Sequence, residues 1–307
     1  MFNLFTPRVF NSGYLPEKEG HRIYFMELGN PNGEPVLIFN GGPGGVSKTY
    51  KAAPFNRKKY RVIMFDQRGC GKSMPTGGME NNDSIATLED AERLIKHLNI
   101  KKPLIVRGGS WGATLALLFA MRNPNTVKKL LLSQVFLADL NNKKWMEEDS
   151  GLFYPDILEK IESSATKNKK LNLAQRFAKM MNSYNLGQQV KAVNTYGSYE
   201  RVLGQLSPEL GRKKITQDDI NSNMIYINYC AQNFMLEDNC ILEHTSIIKH
   251  IPTLIVHNRL DMVCPLKGAY ELHKKLPKSK LVIVPDIGHS SKLLRKTVKK
   301  EIIRFLG

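Results

Sequence analysis

One serine of this 307-residue chain lies in a pentapeptide typical of an activated nucleophile. Residues 108–112 read Gly-Gly-Ser-Trp-Gly, directly after the apolar run 103–106 and directly before the helix-like run 113–120. Between a strand and a helix, a Gly-x-Ser-x-Gly sequence is typical of a nucleophile elbow. The serine then sits at a strained turn, and small neighbours let the strand and the helix pass close together. We therefore predict that Ser110 is a nucleophile.

A serine hydroxyl is a weak nucleophile, so a histidine must accept its proton and a carboxylate must hold that histidine in the right tautomer. With an elbow serine, the order along the chain is serine, acid, histidine. Asp261 and His289 each follow a strand-like run near the end of the chain, where the sheet would bring them beside Ser110. Asp286 is a weaker alternative acid, because it would lie on the loop of His289 itself.

The negative charge that develops on the substrate oxygen needs two backbone N–H groups aimed at it, an oxyanion hole. One N–H group should come from Trp111, which follows the nucleophile. The other should come from the loop after an early strand, and residues 40–45, Asn-Gly-Gly-Pro-Gly-Gly, fit this position. We predict Gly42 as the second donor, because glycine lets the main chain approach a substrate closely.

Strands and helices alternate around these residues. Runs of apolar residues predict strands at 22–28, 35–40, 61–65, 103–106, 127–132, 253–256 and 281–284, and helical periodicity predicts helices at 87–98, 113–120 and 292–306. This alternation indicates the α/β class, with a mostly parallel, doubly wound sheet covered by helices on both faces.

The alternation stops at about residue 138. Residues 139–240 contain helical stretches, such as 171–181 and 188–199, and no convincing buried strand. We predict an α/β core made of residues 1–138 and 241–307. An inserted helical cap, residues 139–240, would cover the site, because open sheets bind ligands at the carboxyl ends of their strands.

Composition and charge bear on partners and location. The net charge is +17, but the lysines are spread over short clusters without the aromatic interleaving of a nucleic-acid surface. The longest apolar runs fall well short of the roughly 20 residues that span a bilayer, and Met1–Phe10 lacks the features of a secretory leader. The four cysteines have no metal-binding spacing. We expect a cytoplasmic protein with no nucleic-acid or membrane partner and no cofactor; its oligomeric state is left open.

The motifs together resemble the proline iminopeptidases, serine aminopeptidases of the α/β-hydrolase fold. The resemblance covers most of the predicted core, and its most specific part is the long Asp-Gln-Arg-Gly-Cys-Gly motif combined with the elbow. The matching segments are Gly41–Gly44, Phe65–Ser73, Glu80–Asn82, Gly108–Gly112, Thr114–Leu117, Asp261–Pro265 and Gly288–Ser290. The resemblance implies release of an N-terminal residue, usually proline, with Ser110, Asp261 and His289 as the triad, and a helical cap at the matching place.

Several positions depart from the family pattern near the start of the site. Asn40 stands where the glycine motif usually opens with histidine, and Ser133 stands where an arginine is usual, whereas the pocket aromatic Phe136 is kept. These changes imply that the loop carrying Gly42 is ordered differently from the family's usual arrangement.

The cap shows further departures. The family anchors the free amine of its substrate with two glutamates; Glu200 matches one of them, and Tyr226 replaces the other. Cys230 replaces a pocket aromatic, and Glu147 stands in place of a tyrosine. A protonated amine in a partly dry pocket needs compensating carboxylates, so Glu147 could restore the balance if it points into the pocket.

The substrate-binding residues expected on this basis are Glu200, Phe136, Glu147 and Tyr226. The expected function is a serine aminopeptidase that releases an N-terminal residue, proline above all, from short peptides through an acyl-enzyme. The alternative is an esterase or amidase of the same fold whose altered cap does not require a free amine. A non-catalytic binding protein is disfavoured, because it would have no need of a complete triad.

Overall fold

A computed structural model describes residues 7–183, 185–206, 210 and 214–307 of the chain. Its strands are β1 (Val9–Tyr14), β2 (Tyr24–Gly29), β3 (Glu34–Phe39), β4 (Tyr60–Phe65), β5 (Leu104–Ser110), β6 (Val127–Val135), β7 (Thr253–Leu260) and β8 (Ser279–Ile287). They form one eight-stranded sheet in the order β1-β2-β4-β3-β5-β6-β7-β8. The pairings β1–β2 and β2–β4 are antiparallel, and those from β4 through to β8 are parallel.

The central strands are buried on both faces because their apolar side chains alternate between two cores. In β3, Leu37 and Phe39 belong to one hydrophobic cluster, whereas Val36 and Ile38 belong to the other. Successive side chains of a strand point to opposite faces of the sheet, so a continuous apolar run is what a doubly covered sheet requires.

The helices are α1 (Ser84–His97), α2 (Trp111–Arg122), α3 (Leu140–Glu147), α4 (Pro155–Ser164), α5 (Leu173–Met181), α6 (Leu186–Asn194), α7 (Tyr196–Gln205), α8 (Gln217–Ala231), α9 (Cys240–Glu243), α10 (Leu266–Lys275) and α11 (Lys292–Leu306). Helices α1, α2 and α10 pack against the first cluster, and α11 packs against the second. The mostly parallel, doubly wound α/β sheet predicted from the sequence is confirmed.

Among the described residues, the chain between β6 and β7 forms helices joined by loops and no strand, and it packs tightly on the rest. Phe234 stacks on Trp111 with ring centroids 5.4 Å apart. The Tyr229 hydroxyl donates a 2.9 Å hydrogen bond to Asn82 Oδ1. The backbone N–H of His289 donates a 2.9 Å hydrogen bond to the Gly204 carbonyl. These helices therefore share a hydrophobic core with the sheet.

Two elements differ from the sequence-based expectation. The single helix predicted over 188–199 is wrong: α6 ends at Asn194, and Thr195, at φ −105° and ψ −86°, turns the chain into α7. Strand β1 was not predicted, because it lies at the edge of the sheet with almost all its side chains exposed. An edge strand of this kind lacks the apolar alternation that marks a strand in a sequence.

Candidate active site

The elbow at Ser110 joins β5 directly to α2. Ser110 has φ 57° and ψ −131°, a backbone conformation that costs energy for a residue with a side chain. A Cβ atom on Gly108 would lie 1.9 Å from the Gly112 carbonyl oxygen, so strand and helix can only approach this closely with glycine at position 108. The turn exposes the serine hydroxyl at the carboxyl edge of the sheet.

A chain of hydrogen bonds links this hydroxyl to a histidine and a carboxylate. His289 Nε2 lies 3.0 Å from Ser110 Oγ. On the other side of the ring, His289 Nδ1 lies 2.8 Å from Asp261 Oδ2 and 3.0 Å from Oδ1. The sequence-predicted residues Ser110, Asp261 and His289 thus lie in the order that proton transfer from the serine requires.

Asp261 is held by the turn that follows β7. Its Oδ1 accepts backbone N–H bonds from Val263 at 3.0 Å and Cys264 at 2.9 Å. The same turn is fixed by His257, whose Nε2 contacts the Cys264 carbonyl at 2.7 Å while its Nδ1 accepts from the Val135 N–H at 3.0 Å. This pattern makes His257 a neutral, positioning side chain.

The alternative acid, Asp286, is turned to its own loop. Its Oδ1 accepts a 2.9 Å bond from the backbone N–H of Ile287. The carboxylate in contact with His289 is that of Asp261.

Asp261 and His289 each stabilise the charged form of the other. Burial alone would raise the pKa of Asp261, but the charge and the hydrogen bond of His289 outweigh it and hold the pKa below 3.8. Burial alone would lower the pKa of His289, but Asp261 and, more weakly, Glu200 raise it above 6.5. The arrangement suits a histidine that becomes an imidazolium during the reaction.

The sequence predicts the backbone N–H groups of Gly42 and Trp111 as the oxyanion donors. Trp111 is the first residue of α2, and the first N–H groups of a helix have no partner within it. Gly42 has φ 134°, where a Cβ would lie 2.6 Å from the Gly45 nitrogen, so only glycine fits. Gly42 and Ser110 line the same cavity. Trp111 follows the nucleophile directly and Gly42 shares its cavity, so Gly42 and Trp111 stay the predicted oxyanion donors.

Asn40 takes over the ordering of the loop that carries Gly42. Its side-chain amide donates to Ser47 Oγ at 2.7 Å and to the Phe65 carbonyl at 3.0 Å. Its backbone carbonyl accepts from Gln67 Nε2 at 2.9 Å, and Gln67 Oε1 accepts from the Trp111 indole at 3.1 Å. The side-chain amide of Asn40 thereby fastens the loop that carries Gly42, and its backbone carbonyl links that loop through Gln67 to Trp111.

A cavity of about 530 Å³, partly open to solvent, lies between Ser110 and the helices that follow β6. Apolar and aromatic side chains line much of it, among them Phe136, Met146, Tyr196 and Phe234. All four sequence-predicted substrate residues, Phe136, Glu147, Glu200 and Tyr226, face it, as does Cys230.

Two carboxylates enter this cavity from different helices. Glu147, at the end of α3, accepts hydrogen bonds from the Ala174 N–H at 3.2 Å and from the Tyr196 hydroxyl at 3.3 Å. Glu200, on α7, accepts a hydrogen bond from Tyr226. Burial raises the pKa of both glutamates above 4.5. A buried carboxylate pair of this kind is stabilised by a cationic ligand.

Some residues of the site carried no sequence signal of their own. The Gln134 side chain donates to the His289 carbonyl and so fixes its loop. Lys51 and Arg107 line a second cavity that begins at Ser110. Gln134 lies two residues beyond the predicted strand 127–132, and this was the one available clue to it. For the two cations, only the fold brings them together.

Two searches were negative over the residues that the structure describes. No cluster of three His, Cys, Asp or Glu side chains there could hold a metal ion. None of the helices in that part of the chain is both long and apolar enough to cross a bilayer.

Comparison with known proteins agrees with this geometry. Residues 34–295 match the model of the α/β hydrolase fold family. The chain is 34% identical over 287 residues to a probable proline iminopeptidase of Leptolyngbya boryana, covering 92% of this chain and 89% of that protein. It is 33% identical over 283 residues to the proline iminopeptidase of Neisseria gonorrhoeae, covering 91% and 90%.

Solved structures share the architecture at lower identity. An α/β-hydrolase enzyme from a Medee basin deep-sea metagenome library superimposes with a TM-score of 0.64 at 20% identity, covering 96% of this chain and 97% of that one. At this identity the likeness concerns the fold alone.

Proposed function

The chain belongs to the proline iminopeptidase family of α/β hydrolases, and we propose that it releases an N-terminal residue, proline by preference, from short peptides. The observation that supports this best is the hydrogen-bonded series Ser110–His289–Asp261 beside a cavity with two buried carboxylates. The series supplies a nucleophile, and the carboxylates supply a place for the free amine of the substrate.

In the proposed first step, Ser110 Oγ attacks the carbonyl carbon of the N-terminal residue while His289 Nε2 accepts the serine proton. The carbonyl oxygen becomes an oxyanion, which the N–H groups of Gly42 and Trp111 stabilise. His289, held by Asp261, then gives its proton to the leaving amine. The C–N bond breaks, and an acyl-enzyme remains.

In the second step, water attacks the ester carbon and His289 takes a proton from it. The second tetrahedral intermediate collapses, the proton returns to Ser110 Oγ, and the N-terminal residue leaves as a free acid. The chemistry draws only on groups of this chain and on water.

Recognition of the amine is assigned to the helical segment. We propose that residues 139–240 are a cap and that Glu147 and Glu200 bind the substrate ammonium together. Glu147 supplies the second negative charge that Tyr226 cannot, since the pKa of Tyr226 is raised well above 10 by burial and its hydroxyl stays neutral. Phe136, Met146 and Phe234 offer an apolar surface for the proline ring.

The test compares a proline arylamide with its N-acetyl form and with a short acyl ester, and Ser110→Ala serves as the control. We expect the free-amine arylamide to be hydrolysed and its N-acetyl form not, with the intrinsically more reactive ester turned over slowly. Ser110→Ala should lose about 10⁴-fold or more of each activity with little change in stability. Equal hydrolysis of the free and N-acetylated forms would contradict the amine-binding role.

One observation favours a second candidate. Tyr226 occupies the place of a family glutamate, so the cavity could serve an esterase or amidase that needs no amine. Turnover of the ester alone would establish this alternative.

A further inference from the structure

A second cavity adjoins the first at Gly42, Ser110 and Glu200. Its empty space, which includes open solvent, is about 1190 Å³, and it is lined by the ends of β3, β5 and β6, residues 50–54, the loop of His289 and the start of α11. Of the described residues in the cap helices, Glu200 alone lines it. A substrate that spans Ser110 therefore has room on both sides of the attacked carbonyl.

The second cavity is strongly cationic. Lys51, Arg107, Arg295 and Lys299 line it, and Glu200, shared with the first cavity, is its only carboxylate among the described residues. Lys299 and Arg295 are exposed at the rim, whereas Lys51 and Arg107 are partly buried. The charge of this cavity is thus opposite to that of the first.

Lys51 and Arg107 are held by neutral oxygens. Lys51 Nζ donates to Asn40 Oδ1 at 3.0 Å, and Arg107 Nη1 donates to the Lys51 carbonyl. No ion pair joins either cation to a carboxylate in the part of the chain that the structure describes. Asp66 attracts Lys51 weakly, and its oxygens accept hydrogen bonds from the Ser47 and Lys72 N–H groups.

Burial and mutual repulsion make the closeness of Lys51 and Arg107 unfavourable in the ligand-free protein. Burial lowers the pKa of Lys51 to about 8, helped by repulsion from Arg107, and lowers the pKa of Arg107 to about 10. Partly buried charges of one sign without a counterion are unfavourable, and a bound anion would compensate them. A guanidinium is also the group best suited to a carboxylate, because its fork of donors matches the two oxygens.

The position of the cavity beside Ser110 indicates which anion would bind there. If the first cavity takes the N-terminal residue, the leaving peptide extends into the second. Each extended residue spans about 3.3–3.6 Å, so a leaving group of two residues reaches roughly 7 Å from the attacked carbonyl. Its free α-carboxylate would then lie in the cavity that Lys51 and Arg107 line.

We propose that the cavity lined by Lys51 and Arg107 is a leaving-group subsite that binds the C-terminal carboxylate of a short peptide. This inference rests on the proposed aminopeptidase function. It makes the enzyme selective for di- and tripeptides with a free C-terminus, which place their carboxylate inside the cavity.

The test measures kcat/KM for Pro-Gly-Gly and for its C-terminal amide, which differ in one negative charge. We expect the wild type to prefer the acid by about 10- to 100-fold, the range of a charge-assisted hydrogen bond. Arg107→Gln should reduce this ratio about tenfold or more, and Arg107→Lys should restore part of it. Lys296→Gln, which removes an exposed charge from α11 outside the cavity, is the control and should keep the wild-type ratio.

The acid-to-amide ratio of kcat/KM distinguishes carboxylate binding from a structural role of Arg107. If Arg107→Gln lowers both rates and leaves the ratio unchanged, the role is structural and the proposal is overturned. Equal rates for acid and amide in the wild type would overturn it too. A preference for Pro-Asp-amide over Pro-Asn-amide without any C-terminal preference would assign the site to an acidic side chain and also contradict the proposal. Hydrolysis of the proline arylamide, which has no carboxylate, reports on the proposed function separately.

If Arg107→Gln does not fold, the wild type still provides a decisive measurement. Glycylglycine, the leaving peptide, should inhibit arylamide hydrolysis about tenfold more strongly than its amide. Equal inhibition by the two would count against the subsite.

Discussion

The protonation state of His289 sets the lower pH limit of the proposed reaction. The histidine must be neutral to accept the serine proton, and Asp261 and Glu200 raise its pKa above 6.5. We therefore expect kcat/KM to rise with pH through a midpoint above 6.5. Glu200→Gln removes one of the charges that raise this pKa, so it should move the midpoint to lower pH. A pH profile for an ester substrate measures this without involving amine binding, and an unchanged midpoint would contradict the assignment.

The two cavity glutamates should act together on the substrate amine. Glu147→Gln and Glu200→Gln each remove one buried charge partner, which costs about 1–3 kcal/mol, or roughly 5- to 150-fold in affinity. We expect KM for the proline arylamide to rise by this factor in both variants, while the kinetics of a short ester change much less.

Glu148→Gln is the matched control for this prediction, since it removes an exposed charge next to Glu147 that does not line the cavity. Equal damage to the amine and ester substrates in the Glu147 variant would mean that Glu147 serves only to hold Ala174 and Tyr196 in place.

At the scale of elements, the approach of β5 to α2 depends on Gly108. Gly108→Ala places a Cβ 1.9 Å from the Gly112 carbonyl oxygen, which is backbone and cannot move aside cheaply. We expect a loss of about 1–3 kcal/mol in the free energy of unfolding, or more, with a displaced Ser110. Denaturant unfolding and labelling of Ser110 by a fluorophosphonate would measure both effects.

Gly13→Ala is the control, because the added Cβ would meet only the Phe25 ring at an ordinary 3.5 Å. It should change stability by about 0.5 kcal/mol or less. An equal effect of the two substitutions would show that the close approach at the elbow is not what makes glycine necessary.

The helical elements were predicted less well than the strands because their boundaries depend on local turns. Apolar runs identified every parallel strand, since a doubly covered strand must be apolar throughout. The break at Thr195 left no comparable signal, because polar and apolar residues continue with helical spacing on both sides of it. The turn at Thr195 gives α7 a direction different from that of α6, and α7 carries Glu200.

At the scale of the whole molecule, the helical segment and the sheet should unfold together. Each contains one tryptophan: Trp111 lies in α2 and Trp145 in α3. Residues of both parts belong to one hydrophobic cluster. The Trp145→Phe variant keeps only Trp111, and the Trp111→Phe variant keeps only Trp145. In each variant, we expect tryptophan fluorescence and far-ultraviolet circular dichroism to change at the same denaturant concentration.

An earlier transition of Trp145 than of the circular dichroism in the same variant would contradict this prediction, and would show that the helical segment opens independently. Comparing the two signals within one variant removes the effect of the substitution on overall stability.

The sequence alone determined the fold class and the family, and it identified the residues that we propose to be catalytic. Ser110, Asp261 and His289 stand in motifs whose glycines and strand ends follow from local physical requirements, so they can be recognised one at a time. The strands are equally local, because burial on two faces demands continuous apolar residues.

Only the tertiary structure decided how charges are grouped. Glu147 and Glu200 lie on different helices, and Lys51 and Arg107 are far apart in the chain, yet each pair lines one cavity. In the sequence, Lys51 and Arg107 are indistinguishable from the charged side chains that cover the surface. Glu147 and Glu200 were singled out only by the family resemblance, and the net charge of +17 hides both groups. Electrostatic interaction depends on distance and burial, and both are set by packing between elements rather than by spacing along the chain.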